Sequence, residues 1–193
     1  MIKRNPSFEL KKHLSSNWAN NDAFLTAVFN ALSISFPKGE KFFMNSVRAF
    51  KDEVNTEMSE EIRIFCIQEA THTREHIKYN KLLCELKGYD VEQLESIFAK
   101  KLEKSYSPKV DNKIRLAITT AMEHITASMG ASMLKGNLVK SDNPVADMWK
   151  WHSLEEVEHK SVAYDVYKAV NGSDKVMRIV MKLALIDMIH ANT

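Results

Sequence analysis

Two short stretches of this chain repeat one spacing of a carboxylate and an imidazole, Glu69-Ala70-Thr71-His72 and Glu156-Val157-Glu158-His159. Residues three and four apart share a helix face, so on a helix each Glu-x-x-His aims an oxygen and a nitrogen donor at one space. His152 stands four residues before Glu156 and adds another imidazole to that face. Glu40 and Glu123 are single carboxylates, each about 30 residues ahead of one Glu-x-x-His. Together these residues predict a two-metal site. Four carboxylates would balance most of the charge of two divalent cations and bridge them, and an imidazole would complete each ion. His76, one turn beyond His72, is a further ligand, a hydrogen-bond partner of a ligand or a proton carrier. No catalytic residue is expected beyond the metal ligands.

The elements that must position these residues are helices. Glycine and proline are few, five and four in 193 residues, which favours long helices over a turn-rich β fold. Ile62, Phe65, Glu69, His72, His76, Tyr79 and Leu83 recur at alternating steps of three and four, as one buried face of a helix over about 59–87. Ser59 is its expected N-cap and Gly88 its stop. A helix is expected over 22–33. Pro37 then starts another, to about Glu53, with Glu40 in its first turn, where the helix dipole alone would favour a carboxylate. Further helices are expected over Val91–Lys104, from Ser107-Pro108 to Leu134, and from Asn143-Pro144 to Val170. Gly136 and Asn137 end the third long helix. Small residues beside Glu123 (Thr120, Ala127, Gly130) mark the expected pocket. The order Glu, Glu-x-x-His, Glu, Glu-x-x-His is that of di-iron and di-manganese sites in ferritin-like bundles. The expected fold is all-α, a ferritin-like four-helix bundle with additional short helices. It forms a single domain over 1–193, with a loosely packed arm at 1–17 and a terminal apolar helix at 173–193.

The stretches Phe36 to Phe43, Gln68 to His76, Met122-Glu123-His124 and Trp151 to Lys160 resemble a bacterial family of predicted metal-dependent hydrolases, over about 18–170. The pattern His152, Glu156, His159 also resembles the di-iron arylamine N-oxygenases. That likeness implies His152 as a seventh ligand beside Glu40, Glu69, His72, Glu123, Glu156 and His159.

The net charge of +2 gives no reason to expect nucleic acid as a partner. Two cysteines without a CxxC spacing, and a polar N-terminus, point to a reduced, cytoplasmic protein. Residues 176–189 are crowded with Val, Met, Ile and Leu, yet too short and charged to span a bilayer. They read as a core or homodimer helix, or as a membrane-surface contact beside a lipid-like substrate.

Three functions follow. The first is a carboxylate-bridged di-iron oxygenase or oxidase that uses O₂ on a small, apolar organic substrate. The second is a two-metal hydrolase working with Mn, Zn or Fe, in which paired cations activate water. The third is a non-catalytic metal-binding helical protein.

Overall fold

The computed structural model describes residues 1–190 except Pro108 and Asn137, without the side chains of residues 101, 104, 106 and 188–190. The described residues form helices and no strands: α1 (Lys11–Leu14), α2 (Ala23–Arg48), α3 (Thr56–Lys87), α4 (Val91–Tyr106), α5 (Asn112–Leu134), α6 (Pro144–His159), α7 (Val162–Ala169) and α8 (Asp174–His190). α2 pairs with α3, and α5 with α6 and α7, while α2 meets α5 across the bundle. α4 makes the connection between the two pairs and packs on α2. α8 packs along α5, with Met177 and Val180 against the core.

Two apolar clusters fill the bundle. One gathers Phe43 and Val47 of α2, Ile62 and Phe65 of α3, Leu116 of α5, and Ala163 and Val166 of α7. The other gathers Phe29 of α2, Tyr79 and Leu83 of α3, Met133 of α5, and Val145, Met148 and Trp149 of α6. Between these positions, on each chain segment, lie the carboxylates and imidazoles singled out above.

Several expected boundaries shift, for identifiable reasons. Pro37 does not start a helix; it lies buried inside α2, which runs unbroken from Ala23. A proline has no N–H, so the Ser33 carbonyl four residues earlier loses its helical partner. Asn80 of α3 replaces it, donating from Nδ2 to Ser33 O at 2.9 Å. Glu40 therefore sits mid-helix rather than in a first turn, and the helix dipole no longer explains it. α3 starts earlier than expected because Asn55, not Ser59, accepts from Met58 N and caps it. Asp111 rather than Ser107 caps α5; Pro108 and Asn137 lie outside the described residues. The helix expected to reach Val170 stops at His159, and α7 follows after Lys160-Ser161. The turn into α8 depends on Gly172, where a Cβ would lie 2.3 Å from the Tyr167 ring.

The arm at 1–17 is docked rather than loose. Leu10 and Leu14 are buried, Lys78 donates to Phe8 O at 2.8 Å, and Arg4 reaches α6. Among the described residues no helix is long and apolar enough to cross a membrane. α8 leaves Ile179, Leu183, Leu185 and Ile186 exposed.

Candidate metal centre

The structure brings all eight expected residues into one buried layer. Glu40, Glu69, His72, His76, Glu123, His152, Glu156 and His159 each expose 4% of their surface or less. α2 supplies Glu40, α3 supplies Glu69, His72 and His76, α5 supplies Glu123, and α6 supplies the rest.

Two groups form within the layer. Glu69, His72, Glu156 and His159 place one donor atom each within 4.8 Å of one another, and so do Glu40, His76 and His152. Glu156 joins the groups, since its Oε1 is 2.8 Å from His152 Nε2 and 3.9 Å from His72 Nδ1. Glu123 enters through Oε2, 3.1 Å from His159 Nδ1. His159 Nε2 lies 3.2 Å from Glu69 Oε1.

The atoms left without hydrogen-bond partners show what the layer fits. Glu40 Oε1, both oxygens of Glu69, His72 Nδ1, Glu123 Oε1 and His159 Nε2 are buried and unsatisfied. A buried polar atom without a partner costs on the order of 1–3 kcal/mol, more when charged. Cations shared among these atoms would satisfy them together, and oxygen plus imidazole donors suit Fe, Mn or Zn.

Electrostatics lead to the same place. Burial, reinforced by the neighbouring carboxylates, pushes Glu69 well above the usual carboxylate range. Burial does the same to Glu40, against a hydrogen bond from Thr73. Glu123 is pushed up to about 7, by burial first and Glu156 second. Burial and the other imidazoles hold His72 well below its ordinary value. Burial alone would lower His159, but Glu123, Glu156 and Glu155 together outweigh it and move the imidazole up. Without cations, the site favours protonated Glu40 and Glu69 and a neutral His72, whereas burial at Glu156 is outweighed by the His152 and His159 imidazoles, which hold it below the usual carboxylate range.

Outer contacts orient the donors. His72 turns Nε2 to Glu155 Oε2 at 3.0 Å, which leaves Nδ1 facing Glu69 and Glu156. Arg4 holds Glu155 at 3.1 Å and also pairs with Glu158, which its guanidinium draws down to about 2. Thr73 donates to Glu40 Oε2 at 2.7 Å, and Thr126 donates to Glu156 Oε2. Metal ligands ordinarily have such supports behind them. Thr73, Thr126 and Arg4 were missed by sequence reasoning. No periodicity marks them, and Arg4 lies in the arm. His124 is exposed and takes no part in the layer.

The whole chain is comparable to a known family. Residues 2–193 match the family described as "Predicted metal-dependent hydrolase". The chain belongs to that family. No curated protein and no solved structure matches it. For this member of the metal-dependent hydrolase family, the buried donor layer is the candidate metal centre.

Of the small residues expected to mark a pocket beside Glu123, Gly130 lines one, while Thr120 and Ala127 do not. A Cβ on Gly130 would meet Ser153 O at 2.9 Å, so the glycine also serves a close approach of α5 to α6. This narrow cleft of about 20 Å³ runs past Phe36, Met129, Trp149 and Thr126 to His152 and Glu156. That is room for about one water.

Proposed function

We propose that this chain is a dinuclear metalloenzyme, with its two ions held by Glu40, Glu69, His72, Glu123, His152, Glu156 and His159. The observation that carries the reading is the set of buried donor atoms on four helices that lack any partner but one another. The order of donors along the chain supports a ferritin-like arrangement. The cleft past Phe36 and Trp149 leads to His152 and Glu156 and has room for about one water, the size of a hydrolytic nucleophile.

Hydrolysis is the reaction that the family description supports. Paired cations would supply a water of lowered pKa and polarise the bond to be cleaved. The chain's own part is to keep the donors deprotonated and aimed. Glu155 and Arg4 orient His72, while Thr73 and Thr126 each occupy one oxygen, of Glu40 and Glu156 respectively, and leave the other facing the donor layer.

A second reading, oxidation of a small substrate with O₂ at two iron ions, has its own support. The donor set is rich in carboxylate, and the cleft is narrow and lined mainly by apolar side chains. No lysine or arginine lines it to receive a phosphate or acyl oxyanion.

The test is metal content of protein purified without added metal, followed by assays of samples reconstituted with Fe, Mn or Zn. Two ions per chain with ester or phosphoester cleavage in the absence of O₂ establishes the hydrolase. Two iron ions per chain with O₂ uptake and no cleavage establishes the second reading. Failure to take up any metal removes both.

A further inference from the structure

Behind the donor layer runs a chain of buried polar groups that the seven ligands do not use. It begins at Pro37. The Ser33 carbonyl, freed by that proline, takes its hydrogen bond from Asn80 Nδ2 at 2.9 Å. A carbonyl only accepts, so this contact decides which end of the Asn80 amide is which. Asn80 Oδ1 is thereby turned to the Ser33 hydroxyl, which donates to it at 2.6 Å. The hydroxyl has a single hydrogen, so it accepts from His76 Nδ1, 2.8 Å away.

His76 Nδ1 therefore bears the hydrogen of that ring. The ring is fully buried, and among the described residues it forms no ion pair with a carboxylate. An uncompensated imidazolium there would be costly, so His76 is neutral and Nε2 keeps a lone pair. His152 Nδ1, 2.7 Å from that lone pair, donates to it. His152 Nε2 is then the nitrogen left to face Glu156 Oε1 at 2.8 Å and Glu40 Oε1 at 4.0 Å. A lone pair and carboxylate oxygens turned to one another need a cation between them, with a proton as the substitute in its absence.

We propose that Pro37, Asn80, Ser33 and His76 form a relay of fixed hydrogen-bond direction that holds His152 with its hydrogen on Nδ1 and offers Nε2 to a metal. His76 is a positioning residue in this arrangement and not a ligand, because both of its nitrogens are already engaged. The purpose of the relay rests on the two-metal reading; the hydrogen positions do not.

The experiment is nitrogen NMR of protein labelled at histidine, metal-free and zinc-loaded, joined to metal titrations of three variants. The expected spectrum has His76 neutral with hydrogen on Nδ1, and His152 with hydrogen on Nδ1 and Nε2 bare in the zinc form. His76→Gln can still accept from His152 and donate to Ser33, so it keeps both ions. His76→Leu and Asn80→Leu weaken one of the two ions by about 10- to 100-fold. Hydrogen on Nε2 of His76, or a His76→Gln variant that loses metal as fully as His76→Leu, overturns the relay. If the wild-type chain takes up no metal, the two-metal reading falls. The metal-free spectrum of His76 then still decides the relay, and a His76 hydrogen on Nε2 refutes it.

Discussion

Glu155 sets its Oε2 3.0 Å from His72 Nε2, on the side of the ring turned away from Glu69 and Glu156. The contact gives His72 one usable nitrogen and directs it inward. Glu155→Gln keeps the size but loses the charge that favours a hydrogen on Nε2. Metal affinity is expected to fall by about 10-fold or more, the usual scale for a support behind a ligand. Arg4→Ala, one contact further out, should weaken it less. Competition against a coloured chelator measures both. An unchanged affinity in Glu155→Gln would show that Glu155 does not orient the ring.

Glu69 tests whether the layer exists for cations. Both of its oxygens are buried without a hydrogen-bond partner, although His159 Nε2 approaches Oε1 to 3.2 Å. A buried carboxyl that no hydrogen bond satisfies carries a desolvation cost that an apolar side chain of similar size does not. Glu69→Leu should therefore raise the Tm of the metal-free protein while abolishing uptake of at least one ion. A lower Tm together with unchanged metal content would contradict the assignment.

The metal-free protein should lose stability as pH rises above about 6.5. Glu40, Glu69 and Glu123 have folded pKa values raised above 4.5, with Glu123 at about 7. Over that range the folded chain holds more protons than the unfolded one, so stability falls with rising pH. His159, also raised, acts in the same direction. His72 and His76, held below 6.5, act oppositely until the unfolded imidazoles have lost their protons, about one unit above that pH. Between pH 6.5 and 8 the decline is therefore clearest toward the upper end. Bound cations displace the same protons, so the loaded protein should gain stability over this interval. Thermal melts of both forms across the interval check the sign.

Gly130 sets the spacing of α5 and α6. Its substitution by Ala puts a methyl carbon 2.9 Å from Ser153 O and 3.2 Å from Ser153 Cα. Backbone cannot swing aside as a side chain does, so the helices must separate. The expected cost is about 1–3 kcal/mol in urea unfolding. His152 neighbours Ser153, so the shift should also weaken metal binding. Loss of stability with metal binding intact would mean that α6 adapts without carrying its ligands along.

Much of this was legible in the sequence because the layer obeys the helical period. Glu69, His72, Glu156 and His159 stand in stripes otherwise made of apolar residues, and such stripes name both helix and face. What escaped depends on contacts between helices. Pro37 looks like a helix start, and only Asn80, far along the chain, lets α2 continue through it. The stop after His159 has no glycine or proline to announce it. Arg4 belongs to a polar arm whose docking rests on a buried carboxylate at Glu155. The role of His76 was open for the same reason, since its partners Ser33 and His152 come from two other helices.

α2, α3, α5 and the α6–α7 segment each pass from one apolar cluster, through the polar layer, to the other. Sliding any one of these helices by a single turn, about 5.4 Å, would set a carboxylate level with phenylalanines and an aliphatic residue level with the donor layer. Apolar cores alone tolerate such slips, because one greasy contact replaces another. A charged stratum across the middle does not. The layer therefore works as an alignment mark for four helices, and a correct vertical register comes with the site that needs it.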